Sequence, residues 1–157
     1  MRVAVFVSLI AAAAAALAAA PPLQEPIQPV PPAHGQDPAR ADIGRRLFNE
    51  VRLSANNSVS CASCHDLRKG GADGRERSVG FSGLRTGANA PTVLNAALNF
   101  RQFWNGRAGS LEEQIDAVVQ NPVEMGSKWP DVLAKLAQDA GYRKAFAASY
   151  KDGITRA

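Results

Sequence analysis

The sequence predicts a mostly α-helical domain whose long loops wrap around something other than their own side chains. Apolar residues recur at helical spacing in five segments between residues 41 and 150. Between the first and second of these lies a Gly-, Ser-, Asn- and Arg-rich stretch, residues 54 to 90, with almost no apolar period. A segment of that length is out of place in a compact domain unless something else organises it. Inside it sit the only two cysteines of the 157-residue chain, in Cys61-Ala62-Ser63-Cys64-His65.

Taken in order, the chain begins with Met1-Arg2, an apolar run from residue 3 to 20 and a small-x-small exit at Ala16-Leu17-Ala18. A positive end, an apolar core and small residues at the exit describe a secretory signal peptide, residues 1–18. The run is near the lower limit for a membrane span, but its Ala-rich second half is weakly hydrophobic, which favours cleavage and no span thereafter. Export places the protein in the periplasm. Residues 19–38 follow as a tether holding seven of the ten prolines. Proline fixes φ and removes a backbone donor, so this stretch reads as an extended spacer. The domain proper is residues 39–157.

Its first helix is predicted over residues 41–51, with Ile43, Leu47 and Phe48 on one face and Arg45 and Arg46 on the other. A second is predicted to start at Pro91 and to carry Val93, Leu94, Ala97, Leu98 and the segment to Phe103. Ser110-Leu111-Glu112-Glu113 is a capping-box pattern ahead of Leu111, Ile115, Val118 and Val119. Pro130 opens a fourth helix with Val132, Leu133 and Leu136 inward. The fifth spans residues 141–150, with Tyr142, Phe146 and Tyr150 spaced by four on one stripe.

Composition narrows the function. Two cysteines exclude a disulfide-stapled scaffold and a four-cysteine metal site. A net charge of +4 with no arginine-rich run gives no case for nucleic acid. The chemistry lies in residues 61–65. Two thiols three positions apart stand about one helical turn from each other, the spacing of the two vinyl groups of a haem, and the next residue offers an imidazole to the iron. Covalent c-type haem is therefore the reading of Cys61, Cys64 and His65. A zinc site would need more ligands, and the only other histidine, His34, lies in the tether. A thioredoxin-like pair would need a βαβ setting, and a disulfide across three residues closes too small a loop to stabilise much. The second axial position stays open between Met125, which would make an electron-transfer centre, and a free site suited to peroxide chemistry.

From residue 42 onward the chain resembles the N-terminal haem domain of the bacterial di-haem cytochrome c peroxidases, the family that also includes the methylamine-utilisation maturation enzyme. The resemblance rests on Gly44-Arg45-Arg46-Leu47-Phe48, Arg52-Leu53-Ser54, the haem motif and Gly70-Gly71-Ala72-Asp73. It continues through Asn89-Ala90-Pro91-Thr92-Val93-Leu94-Asn95, Gln102-Phe103-Trp104-Asn105-Gly106-Arg107-Ala108, Gln114 and Pro122-Val123-Glu124-Met125. It implies a cytochrome-c-like fold, mostly α, with long loops around a covalently bound haem. It implies hydrogen peroxide as substrate and a small electron donor, a cytochrome c or a cupredoxin.

By the same resemblance Cys61 and Cys64 are the thioether cysteines and His65 is the proximal ligand of the peroxide-reactive haem. Glu124 matches the distal glutamate and Gln114 the distal glutamine. A carboxylate beside bound peroxide can carry a proton from its inner to its outer oxygen, and an amide can orient the peroxide. Trp104 matches the tryptophan between the two haems; it also reads as a buried core aromatic, and both descriptions can hold. Asn89 matches one ligand of an interdomain calcium site.

Two departures follow. Where many members cap the resting haem with a histidine, Ser78-Val79-Gly80-Phe81 places Phe81, which cannot ligate iron, so an open distal site is expected. No second Cys-x-x-Cys-His is present, so the chain reads as signal, tether and front half of a di-haem enzyme, paired with a second haem domain or chain. The alternatives are a mono-haem electron carrier, which needs a strong sixth ligand, and a haem-bearing module that pairs with a separate chain.

Overall fold

The computed structural model describes residues 29–32 and 35–156. The expected signal peptide and most of the tether, His34 included, lie outside the described residues. Asp37 opens the domain: its Oδ1 accepts the amides of Ala39 at 2.8 Å and Arg40 at 3.3 Å, and Pro38 fills the first turn, where no amide is needed. Helix α1 accordingly spans Pro38–Phe48, starting three residues earlier than the apolar period suggests. Arg45 and Arg46 sit in its last turn, against the negative end of the helix dipole. Past Asn49 the chain does not extend the helix to residue 51 but tightens into a 3-10 turn, Val51–Leu53, capped by the Glu50 carboxylate.

A single helical turn, α2, covers Cys61–Cys64. Helix α3, Leu111–Gln120, starts at the predicted cap: Ser110 Oγ accepts the Glu113 amide at 3.2 Å. The reciprocal arm reaches one residue further back than in the usual box, with Glu113 Oε2 accepting the Gly109 amide at 2.7 Å. Helix α4, Trp129–Ala137, has Pro130 in its first turn, and α5, Ala140–Ser149, is capped by Asp139. Among the described residues there are no strands, only isolated antiparallel bridges at Val79–Arg85 and Gln102–Ala108.

The segment 91–103 departs from expectation. It contains one 3-10 turn, Ala96–Leu98, in place of a helix. Asn95 takes a left-handed φ of +57°, and Gln102 Nε2 donates to the Ala96 carbonyl at 3.0 Å, the acceptor a continuing helix would need for residue 100. The apolar residues that gave the helical period, Leu94, Leu98 and Phe100, are left exposed.

The core gathers Leu53, Val119, Met125, Val132, Leu136 and Tyr142, flanked by Leu47, Val118, Trp129, Phe146 and Ile154. Here α5 packs on α1 and α4, and α4 packs on the 3-10 turn at residues 51–53. The aromatic stripe of α5 forms as predicted, with ring centroids 6.3 Å apart for Tyr142–Phe146 and 5.4 Å for Phe146–Tyr150. Its polar cover comes from guanidinium groups: Arg46 stacks on Tyr142 at 4.2 Å and Arg40 on Tyr150 at 4.7 Å. Arg46 thus covers an aromatic face instead of standing free opposite the apolar side of α1.

Two polar anchors carry this core to the loop region. Ser54, fully buried, donates from Oγ to the Val51 carbonyl at 2.8 Å and accepts the amides of Ser58 at 3.1 Å and Val59 at 3.2 Å. Lys135 Nζ donates to the Ser54 carbonyl at 2.8 Å, and the Ala55 amide donates to the Met125 carbonyl at 2.9 Å. These bonds fix where residue 60 enters the cysteine turn.

Candidate haem site

Ser60, largely buried, precedes the cysteine turn, and its amide donates to Ser63 Oγ at 2.9 Å, closing the start of α2. Cys61 and Cys64 therefore stand one turn apart, half-buried and not bonded to each other. Burial pushes both thiols up; for Cys64 the nearby charges of Asp73 and Glu124 push the same way, while the Ser78 hydroxyl and Arg75 pull down.

His65 ends the turn, its amide donating to the Cys61 carbonyl at 2.9 Å. Its Nδ1 lies 3.1 Å from the Gly71 carbonyl oxygen. A carbonyl can only accept, so Nδ1 carries the proton and Nε2 presents a bare lone pair, the form of imidazole that binds a metal. Two unpaired thiols on one turn and an imidazole with Nε2 free are a donor set that fits a covalently attached haem. Leu67, Leu84, Leu94, Leu98 and Ile115 are large apolar side chains left exposed.

Glu124 follows α3 on the turn 121–126, where its Oε1 accepts from Asn121 Nδ2 at 2.9 Å. It is half-buried, and burial raises its carboxyl above the usual range, against the positive charge of Arg107, the Asn121 hydrogen bond and the charge His65 would carry if protonated. Glu124, Cys64 and His65 are thus close enough to feel one another. The segment holding Phe81 closes on the same turn. The Phe81 amide donates to the Glu124 carbonyl at 2.9 Å, and Asn56 Nδ2 donates to the Phe81 carbonyl at 3.0 Å. Gly126 has φ +60°, and a Cβ there would strike the Phe81 ring, while one at Gly80 would strike the Val123 carbonyl.

The other predicted positions are placed as follows. Gln114 lies half-buried on α3, and no hydrogen bond joins its amide to Glu124. Trp104 is 66% exposed, so it is not a core aromatic in this chain, and its Nε1 donates to the Asn89 carbonyl at 3.0 Å. Asn89 is exposed. Among the described residues no cluster of three or more His, Cys, Asp or Glu side chains could hold a metal ion. Met125 is 4% exposed in the core.

Arg107 received no role from the sequence, although it lies in a matched motif. Its guanidinium stacks on Phe103 at 3.4 Å, and Phe103 holds a left-handed φ of +66° at the tip of the Gln102–Ala108 bridge. An aromatic residue in that conformation is strained, and such strain gathers at functional sites.

Comparison with known proteins agrees with this geometry. Residues 38–157 match the family model described as di-haem cytochrome c peroxidase. Cytochrome c peroxidase Ccp of Escherichia coli K12 is 42% identical over 132 residues, 83% of this chain and 28% of the relative. Cytochrome c551 peroxidase of Nitrosomonas europaea is 40% identical over 122 residues, 78% of this chain and 36% of the relative. Among solved structures, a MauG-like protein associated with microbial copper homeostasis superposes with a TM-score of 0.72 at 32% identity, covering 87% of this chain and 42% of that one. The diheme peroxidase BthA from Burkholderia thailandensis superposes with a TM-score of 0.66 at 26% identity, covering 82% of this chain and 37% of that one. The chain spans about a third of the length of the curated relatives it matches. A mostly helical fold, a cysteine turn that delivers an imidazole with Nε2 free, and a family match over residues 38–157 place this chain in the di-haem cytochrome c peroxidase family.

Proposed function

We propose that this chain is the peroxide-reacting haem domain of a periplasmic c-type peroxidase. The observation that carries the reading is the cysteine turn that ends in His65, its imidazole oriented through Nδ1 onto the Gly71 carbonyl with Nε2 free, and the half-buried Glu124 carboxyl supplies the acid–base group. Bound c-type haem supplies an iron that takes peroxide and passes electrons. Cys61 and Cys64 would hold it as thioethers and His65 through Nε2.

Glu124 takes the proton role. Its carboxylate receives a proton from one peroxide oxygen and returns it to the other, which then leaves as water. Burial raises its proton affinity, which favours taking up the proton, and the Asn121 amide holds Oε1 in place. Gln114 orients the peroxide through its side-chain amide. Phe81 keeps the distal side free of a protein ligand, its ring held against Gly126 and its amide on Glu124. The two electrons for each peroxide come from a small donor, a cytochrome c or cupredoxin, through a second haem domain or chain. Trp104, exposed and tied to Asn89, lies on the path to that domain, and Asn89 contributes a carbonyl or amide oxygen to a calcium site shared with it. The electron-carrier alternative needs a sixth ligand, and its candidate, Met125, is spent on core packing.

The test uses the full chain matured with c-type haem. A ferric spectrum with an open sixth position and rapid reaction with hydrogen peroxide are expected. Glu124→Gln should keep the haem and lose about 10²- to 10⁴-fold in that reaction. The base must be ionised, so the wild-type rate should fall as pH drops through a value above 4.5, the side on which burial has moved Glu124. A bis-histidine low-spin spectrum, or a Glu124→Gln protein reacting at the wild-type rate, overturns the reading.

A further inference from the structure

On the proximal side, the Gly71 carbonyl serves two donors, His65 Nδ1 at 3.1 Å and the Val93 amide at 3.3 Å. Gly71 is buried with φ +76°, and a Cβ there would lie 3.0 Å from Val93 N and 3.1 Å from Thr92 Oγ1, so glycine is what lets residues 92–93 come this close. Next to it, Thr92 Oγ1 donates to the Gly70 carbonyl at 2.6 Å and accepts the Leu94 amide at 3.1 Å. A threonine hydroxyl has a single proton to give, and here it goes to Gly70. Two consecutive carbonyls, 70 and 71, are therefore gripped by two consecutive residues, 92 and 93, from a distant part of the chain.

We infer that Thr92 is a positioning residue for the His65 imidazole: with the Val93 amide it clamps the Gly70–Gly71 carbonyls and so fixes the direction of the Nδ1–H bond. The inference rests on the reading of His65 as an axial haem ligand. A carbonyl held in place makes Nδ1–H a stronger donor pair, which makes Nε2 a more basic ligand and favours the ferric state. Water can reach Thr92, which is exposed, and could replace its bond to Gly70. Water would not hold the Gly70 carbonyl and the Leu94 amide at a fixed separation, as one hydroxyl bonded to both does.

The experiment compares haem-matured wild type, Thr92→Val, which deletes the hydroxyl at nearly constant shape, and Thr92→Ser, which keeps it. Readouts are the midpoint potential and the iron–histidine stretch by resonance Raman. Thr92→Val should shift the reduction equilibrium about tenfold toward the ferrous form, 59 mV for one electron, with a lowered iron–histidine frequency. Thr92→Ser should stay at the wild-type values. A Val variant with wild-type potential and frequency, or Ser and Val variants that shift alike, overturns the inference. If Thr92→Val does not hold haem, exchange of the His65 ring proton in the wild type decides: slow exchange supports the clamp, exchange at the free-imidazole rate overturns it. A wild-type chain showing no c-type pyridine haemochrome overturns the haem reading itself, and the inference falls with it.

Discussion

In the region made by α1, the 51–53 turn and residues 111–150, apolar side chains close on one another; in residues 55–109 they do not. The first buries Ile43, Leu53, Val119, Met125, Val132, Leu136 and Tyr142. The second buries Ser60, Ser78, Gln102 and Ala108, and leaves Leu67, Leu84, Leu94, Leu98, Phe100 and Trp104 exposed. What orders it is polar: the clamp at 70–71 and 92–93, the Gln102 amide on the Ala96 carbonyl, and the tie from Phe81 to Glu124. The contrast teaches that one domain can carry two kinds of core. One is made by its own side chains, and under the proposed haem reading the other would be completed by the cofactor.

Removing the cofactor should therefore split the two regions, and this is the largest effect expected. In Cys61→Ala/Cys64→Ala, which cannot form thioethers, hydrogen exchange at residues 60–109 should become fast. The amides of α4 and α5 should stay protected. Equal loss of protection in both regions would show a single cooperative unit and break the comparison. The converse perturbation is Leu136→Ala. Leu136 is 3% exposed in the core, so its truncation should cost about 3 kcal/mol in unfolding free energy. The peroxide reaction per folded, haem-loaded molecule should be unchanged. Denaturant titration beside stopped-flow kinetics measures both.

The same contrast governs what could be read from the sequence. Helices α3, α4 and α5 announce themselves through local devices, the Ser110 cap, Pro130 and the Tyr142–Phe146–Tyr150 stripe, and all three form. The helix expected from Pro91 does not. Its apolar spacing was real, but Leu94, Leu98 and Phe100 have no helical partner to bury against, and a glutamine six residues away takes the Ala96 carbonyl. No periodicity registers a side chain competing for a backbone group. At the site, spacing alone singled out Cys61, Cys64 and His65, because their geometry is local. Glu124 came only through the family resemblance, since no local spacing ties it to the cysteine turn. Thr92, Gly71 and Arg107 were visible as motif letters without roles for the same reason.

A smaller effect tests what holds the first region together. Glu50 caps the 51–53 turn and grips Arg52 with both oxygens, Oε1 to Nε at 2.8 Å and Oε2 to Nη2 at 2.6 Å, while Arg52 Nη2 also reaches Asp139 at 3.1 Å. The Arg52 hydrogen bond holds the Glu50 carboxyl down to about 2, from 4.5. A depressed carboxyl adds stability above its unfolded value and loses it as pH falls, so this contribution should fade between about pH 4.5 and pH 2. Glu50→Gln should cost about 1–2 kcal/mol at pH 7 after screening at the half-exposed arginine. The difference from wild type should shrink toward zero at pH 2–3. A variant equally destabilised at pH 7 and pH 2.5 would assign the cost to packing.

The smallest expected effect is at Ser110, where α3 leaves the loop region. Ser110→Ala removes the acceptor for the Glu113 amide and should cost about 1 kcal/mol, seen as a fall of about 4 °C in Tm. The Gly109–Glu113 bond at 2.7 Å remains and limits the loss. The next amide along, that of Gln114, donates to the Ser110 carbonyl at 3.2 Å, so fraying of this turn reaches the glutamine proposed to orient peroxide. If the cap serves stability alone, the peroxide reaction of the folded variant keeps its wild-type rate. If the rate falls well beyond what the loss of folded protein explains, the first turn of α3 belongs with the loops that shape the haem site, and the boundary between the two regions moves past residue 110 to the end of that turn.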